Sequence, residues 1–435
     1  MSTVVVVGAQ WGDEGKGKVV DYLAARFDIV ARYQGGHNAG HTVVVNGRKF
    51  ILQLLPSGIL RPGKWAVIGS GVVLDPAALL DELATLERNG VNTAGRLFIS
   101  NRSHLIFPYH RELERAAEAA LGSLKIGTTA RGIGPTYEDK MARRGLRTCD
   151  LLDTARFEEK LCRLLEHKSA LARVLQRPVA LDTARLVEQY TDYAERLRPY
   201  ITDVPVLLDA ARRAGKSTLC EGAQGTMLDI DHGTYPFVTS SNAAAGGACT
   251  GLGIPPGAIN AVLGVTKAYT TRVGSGPFAT EITGAAAEAL RDRGNEYGAV
   301  TGRPRRCGWL DLMMLRHSVL VNGMTSLVVT KLDVLDHFAE VPVCVGYRYQ
   351  GRPLTEIPPE AEVLEEVEPD YQARPGWQAS TRGLTRYEQL PARARDYLKF
   401  VADQVGVEIG MISTGPQRQE TVLLPDSRLA SLLSS

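Results

Sequence analysis

The chain is sparing in cysteine, nearly balanced in charge and without a long apolar run, and each lack excludes something. Its six cysteines among 435 residues (Cys149, Cys162, Cys220, Cys249, Cys307 and Cys344) form no Cys-x-x-Cys pair and no metal-ligand spacing. A disulfide scaffold and a thiolate metal site are thereby excluded, and the cysteines read as reduced, mostly structural thiols. Fifty Lys and Arg against 48 Asp and Glu leave a net charge of +2, which gives no sign of a nucleic-acid surface. No stretch approaches the ~20 apolar residues that cross a bilayer. The first residues lead into a strand without a basic-plus-apolar leader, so a soluble, cytoplasmic protein with no membrane partner is expected. Internal repeats and low-complexity tracts are also missing.

What is present is alternation. Apolar strand candidates lie at 3–8, 29–33, 65–68, 97–99, 218–221, 260–266, 326–330 and 408–413, with amphipathic helices between several of them. The helix expected over 76–88 has Asp75 as a cap, Pro76 in its first turn and Gly90 to end it. This order predicts an α/β fold, P-loop NTPase-like, with a mostly parallel central sheet flanked by helices. Asn46-Gly47 between 42–45 and 48–52 predicts an antiparallel hairpin excursion with a type I′ turn. Residues from about 153 to 214 are helical, charged and poor in glycine, and are expected to form a helical lobe on the sheet. The acidic, proline-containing stretch 353–368 reads as an edge excursion, so residues 1–435 are taken as a single elaborated domain.

The chemistry gathers where strands end. After Val4–Val7 comes Gly8-Ala9-Gln10-Trp11-Gly12-Asp13-Glu14-Gly15-Lys16-Gly17-Lys18, a glycine loop opening a helix. Backbone N–H groups and the positive end of the helix dipole make such a loop an anion site. Gly12 to Lys18 fits G-x-x-x-x-G-K, but Val19 stands where a phosphate loop carries the Mg²⁺-binding Ser or Thr. Asp13 sits inside the loop instead, and a carboxylate among phosphates needs a bridging cation or chemistry of its own.

Other loops join it. Gln34-Gly35-Gly36-His37-Asn38-Ala39-Gly40-His41-Thr42 follows the second strand, at the carboxyl end where open α/β sheets bind ligands. Its histidines are either surface groups of a glycine turn or part of a site beside the phosphate loop. Thr330-Lys331-Leu332-Asp333 follows a strand, and an aspartate there accepts from guanine N1–H and N2 together, where adenine has no donors. Ser413-Thr414-Gly415 is placed to close over the same base. Arg303, Arg305 and Arg306, after Thr301-Gly302, form a cationic cluster suited to carboxylates or phosphates. The loops 127–135 and 221–226 add polar groups for a second anionic ligand.

These motifs, with Leu55-Pro56-Ser57-Gly58, resemble the adenylosuccinate synthetase family, in order from Val4 to about residue 415. The resemblance implies GTP- and Mg²⁺-dependent joining of IMP to L-aspartate through a 6-phosphoryl-IMP intermediate, the first committed step of AMP synthesis from IMP. It implies Asp13 as the base at N1 of IMP. It implies that His41 stabilises the transferred phosphoryl group or acts as a general acid at it. One Mg²⁺ per subunit would be held by Asp13 and the carbonyl of Gly40. GTP would meet Gly12, Asp13, Glu14, Gly15, Lys16, Gly17 and Lys18, then Gly40, His41, Thr42 and Arg305. Its guanine would meet Lys331, Leu332, Asp333, Ser413, Thr414 and Gly415. IMP would meet the loop from Asp13 through Glu14 and Gly15 to Lys16, and Asn38, Ala39, Gly40 and His41. Thr129, Gln224, Thr239 and Arg303 would complete its pocket, with Arg143 lent across a homodimer interface. Aspartate would lie under Ala299, Val300, Thr301, Gly302, Arg303, Pro304 and Arg305.

Two departures from the family pattern stand out. Gln53 replaces a histidine of many members, offering a donor without charge, and Ala130 replaces a common glycine, implying a position without need of φ > 0. Two other classes remain to be weighed. A GTPase switch shares the phosphate loop and Thr-Lys-x-Asp but needs neither the arginine cluster nor Gln224. An NAD-dependent oxidoreductase needs a G-x-G-x-x-G after the first strand and an acid ending the second, and neither is present.

Overall fold

The computed structural model describes residues 2–45, 48–120, 122, 126–174, 182–298, 302 and 304–434. Its frame is a ten-stranded sheet. From one edge to the other run Thr421–Leu423, Ile409–Ser413, Ser326–Thr330, Ala261–Lys267, Thr3–Gly8, Thr218–Glu221, Ile29–Arg32, Trp65–Ile68, Leu97–Ser100 and Ile201–Thr202. All neighbours are parallel except the pair formed by Thr421–Leu423 with Ile409–Ser413. The expected strands are found with shifts of a residue at some ends. The edge strands Ile201–Thr202 and Thr421–Leu423 are additions.

Burial explains the valine run. Val4 to Val7 are fully buried, because helices cover both faces of a parallel sheet. Alternation then divides them: Val5 and Val7 join the large core with Leu315 and Tyr397, while Val4 and Val6 pack with Val19, Leu23 and Met411. The helix Pro76–Arg88 forms as expected, with Asp75 accepting from the Ala78 N–H and Gly90 at φ +77° beyond its end.

The excursions are also present. His41–Val45 pairs antiparallel with Arg48–Leu52, whereas the Asn46-Gly47 turn lies outside the described residues. Helices Thr154–Val174 and Thr183–Leu197 join a second core through Phe157 and Tyr190, which stack on Phe107. The next helix, Val204–Arg213, leaves that lobe and packs into the large sheet core through Val204, Leu208 and Ala211. The stretch 353–368 belongs to a separate four-stranded sheet built on Glu340–Tyr349 with Leu310–Asp311, Arg352–Leu354 and Glu368–Pro375.

Parallel strands send their carboxyl ends to one edge. The loops after Gly8, Arg32, Glu221, Thr330 and Ser413 therefore converge there, around the central first strand.

Candidate active site

The phosphate loop is braced from within. Glu14 is fully buried and accepts from the N–H groups of Gln10 (3.1 Å) and Gly12 (2.8 Å) and from Lys16 Nζ (2.5 Å). Its carboxylate thus shapes the loop, and the Lys16 ammonium neutralises it. Gly225 must be glycine, since a Cβ there would lie 2.3 Å from Gln10 O and 2.5 Å from Glu14 Oε1. The helix Lys16–Ala24 starts after Gly15 (φ +90°) with no side chain capping it, so its first N–H groups are free for an anion.

Asp13 differs from its neighbour. It lies at φ +57°, its side chain 41% exposed, and its carboxylate meets Arg305 Nε at 2.8 Å. Arg305 in turn donates to the buried Glu296 (2.6 Å), which also accepts from Lys267 (2.9 Å) and Tyr269 (2.5 Å). Lys331 Nζ is 3.9 Å from the same carboxylate. Burial works to raise the Glu296 carboxyl, but Lys267, Lys331 and Arg305 outweigh it and hold it at about 2. One acid thereby joins the arginine cluster to the Thr-Lys-x-Asp turn.

At that turn Lys331 adopts φ +61°, and Thr330 Oγ1 donates to Glu14 O at 2.6 Å, which fixes the turn against the phosphate loop. Burial raises the Asp333 carboxyl, with Lys331 opposing. Lys18 reaches to the end of the strand Ile409–Ser413. It donates to Ser413 Oγ (2.6 Å), Gly415 O (2.6 Å) and Glu420 O (2.8 Å), and burial pushes it down to about 8 against the pull of Glu420 and Asp333. Thr414 is buried and donates to Leu384 O.

His41 is buried, with Nδ1 against Glu221, and packs beside Gly17 with Thr42. Burial lowers its basicity, and Glu221 works to raise it. Gln224 (φ +57°) has a buried Oε1 without a partner among the described residues and an Nε2 3.4 Å from Asn38 Oδ1. Ala39 and Gly40 follow, half-buried. Thr239 meets Ser241 at 3.3 Å, and Ser241 donates to Gln34. Thr129 is exposed, and the preceding N–H groups of Gly127 and Thr128 are taken by Glu118.

Ala130 corrects the expectation drawn from the departure at that position. It sits at φ +52°, in the left-handed region, so the position does use the conformation glycine provides and alanine carries its strain. Gln53 adds an acceptor to the uncharged donor expected of it: its Oε1 accepts from Arg131 at 3.1 Å. Arg143, at φ +61°, is exposed and lines a cavity of about 650 Å³ with Lys140, Arg144 and Arg147. None of the other expected site residues lines that cavity.

Ala299, Val300, Thr301 and Arg303 lie outside the described residues. The base of their loop is pinned, with Tyr297 bridged to Pro304, Gly302 N donating to Gly298 O and Arg305 N to Glu296 O. Among the described residues, no cluster of three or more His, Cys, Asp or Glu is placed to hold a metal by itself. Of the eight described non-glycine residues at positive φ, Asp13, Arg143, Gln224 and Lys331 are ones the motifs single out. Local strain concentrates at functional positions in this way. Glu221 heads a recognised loop, but Glu296 and Lys267 carry no motif.

An open helix N-terminus beside a half-buried Thr-Lys-x-Asp turn points to a class: α/β enzymes that draw on a nucleoside triphosphate. Within that class, the family model for adenylosuccinate synthetase matches residues 5–422. The adenylosuccinate synthetase of Solibacter usitatus is 56% identical over 433 residues, covering 100% of both chains. That of Koribacter versatilis is 54% identical over 97% of this chain and 95% of its own. The structure of the fully ligated adenylosuccinate synthetase from Plasmodium falciparum superimposes with a TM-score of 0.92 at 38% identity, covering 98% of this chain and all of that one. The chain belongs to the adenylosuccinate synthetase family, GTP-dependent ligases that form a C–N bond between IMP and aspartate in AMP synthesis. The GTPase-switch alternative is not favoured. Among the described residues, no helix is long and apolar enough to cross a membrane.

Proposed function

We propose that this chain, as one elaborated domain, performs the ligation in two steps at the converging loop ends. Asp13 takes the N1 proton of IMP, and O6 attacks the γ-phosphorus of GTP, releasing GDP and forming 6-phosphoryl-IMP. The amino group of L-aspartate then attacks C6, phosphate leaves with the oxygen, and the amino group sheds its proton. His41 stabilises the transferred phosphoryl group or gives it a proton. The helix N-terminus with Gly12 to Lys18 receives the GTP phosphates, and Lys331 to Asp333 with Ser413 to Gly415 receive guanine. Asn38 to His41, Thr129, Gln224, Thr239 and Arg303 receive IMP, and residues 299–305 cover aspartate.

The observation that carries this reading is the pairing of Asp13 with Arg305 at the mouth of the phosphate loop. It sets a base-competent carboxylate beside a cation suited to an acidic substrate. Asp13 and the carbonyl of Gly40 are hard oxygen donors that suit Mg²⁺ shared with phosphates, a mode needing only one or two protein ligands. When bound, the ion supplies charge neutralisation at the phosphates. The protein works in the cytoplasm as a homodimer, supported by the separate position of Arg143.

The test is phosphate release and base absorbance with GTP and Mg²⁺, adding IMP and L-aspartate singly and together. Adenylosuccinate stoichiometric with phosphate, only when all are present, is expected. Phosphate release indifferent to IMP and aspartate would overturn the reading. Mixing Arg143→Leu and Asp13→Ala subunits should restore part of the activity, because some mixed dimers hold one intact site. No recovery after demonstrated subunit exchange would refute sharing.

A further inference from the structure

We propose that Glu221 is a positioning residue for His41, holding the imidazole by its Nδ1–H and so fixing the rotation of the ring, with Nε2 as the nitrogen turned toward the transferred phosphoryl group. The inference rests on the role of His41 given above. Glu221 ends the central strand Thr218–Glu221 and is fully buried. Its Oε1 lies against His41 Nδ1 and accepts from Ser57 Oγ at 2.8 Å, while its Oε2 accepts from Ser57 N at 2.8 Å. A carboxylate only accepts, so the nitrogen facing it carries the hydrogen. The ring makes no other hydrogen bond among the described residues, which leaves Nε2 as the free position.

The neighbourhood is built to keep this acid charged and still. Arg32 is its register partner on the adjacent strand and is likewise fully buried. Two of its guanidinium nitrogens, Nε and Nη2, have no hydrogen-bond partner among the described residues, so it acts on Glu221 through its field. Burial alone would raise the Glu221 carboxyl. His41, Arg32 and the Ser57 N–H together hold it below the ordinary range.

Ser57 is delivered by the short turn Ser57–Leu60, which lies flat on the sheet. A Cβ on Gly58 would stand 2.3 Å from Val30 Cγ2 and 2.7 Å from its Cβ, so only glycine permits that approach. The Leu55-Pro56-Ser57-Gly58 motif, which meets no substrate in the proposed reaction, gains a purpose: it supplies two of the three donors that orient Glu221. A glutamine at 221 has one acceptor oxygen for those three donors and turns an N–H₂ toward one of them. The imidazole then rotates or takes the other tautomer.

The experiment uses the full chain with GTP, IMP, L-aspartate and Mg²⁺, comparing wild type with Glu221→Gln, Glu221→Asp, Ser57→Ala and His41→Asn. Glu221→Gln should lower kcat by roughly 10²–10³-fold while each KM stays within about threefold, as for an interaction felt in the transition state. Ser57→Ala should lower kcat by roughly tenfold, the scale of losing an outer orienting contact. Glu221→Asp should recover part of the loss. The ¹⁵N signals of the ligand-free protein should assign His41, by their absence in His41→Asn, as the Nδ1–H form, and Glu221→Gln should shift it.

A His41 signal in the Nε2–H form, or a Glu221→Gln kcat within threefold of wild type, would overturn the proposal. Should Glu221→Gln not fold, a Ser57→Ala enzyme with unchanged kcat and unchanged His41 signal would do the same. Failure of the underlying reading looks different: His41→Asn itself would then retain normal kcat.

Discussion

The end of the site proposed for guanine and the end proposed for IMP are built in opposite ways. At the guanine end the chain satisfies its own polar groups: Lys18 has three oxygen acceptors, Thr330 holds Glu14, and Thr414 holds Leu384. At the IMP end groups stand open. Among the described residues Gln224 Oε1 is buried without a partner, Thr129 is exposed, and Arg143 faces a separate cavity. A buried unpaired acceptor costs ~1–3 kcal/mol, a debt a ligand donor can cancel. The difference teaches that the end proposed for the energy donor is preorganised by the chain's own hydrogen bonds, whereas the end proposed for the acceptor leaves polar groups for a ligand to meet.

Asp13→Ala is the severest way to break this contrast. It should abolish ligation, a loss of at least ~10³-fold in kcat on the scale of removing a catalytic base, while GTP binding persists through the loop amides. Calorimetric titration with GTP beside the coupled assay checks both halves, and lost binding with intact chemistry would contradict the base role.

Gln224→Leu comes next. It should lower kcat/KM for IMP by roughly 10²-fold, the scale of a lost hydrogen bond to a charged group, and leave KM for GTP within about threefold. Equal damage to both substrates in steady-state kinetics would erase the distinction between the two ends.

Asp333→Asn probes the guanine end directly. An amide presents a donor where the carboxylate only accepts, so GTP-over-ATP selectivity should fall by roughly tenfold, measured as a ratio of kcat/KM values. Unchanged selectivity would remove the Thr-Lys-x-Asp turn from base recognition.

The smallest effect concerns pH. Glu296 is held at about 2, below the ~4.3 of an unfolded glutamate, so its stabilising contribution is complete above ~4.3. It is lost as pH falls from there toward 2. Glu296→Gln should therefore show a shallower decline of Tm between pH 5 and 3, on the order of a few degrees by calorimetry. A parallel decline would mean the cluster adds nothing specific to acid stability.

Much of this was legible because its signals are local. The valine run at 4–7 announces a strand covered on both faces, and glycines with polar residues after it announce a loop that ligands approach. The four-stranded sheet around Glu340–Tyr349 gave no such sign. Its long strands are partly exposed and mix charged with apolar positions, so neither period dominates. Ile201–Thr202 is two residues long, too short to leave a pattern. The Glu296 cluster was hidden for another reason: its partners Lys267 with Tyr269, Arg305 and Lys331 come from three places in the chain and meet only in the fold. Ala130 shows the limit of residue types, since a side chain does not state its own φ.

Lys18 reaches its three acceptors across 395, 397 and 402 residues of sequence. A ribosome making this chain releases the phosphate loop early, yet that lysine waits through nearly all of synthesis for the oxygens that hold it. The end of the strand Ile409–Ser413 is therefore tied to the phosphate loop only once residue 420 has been made.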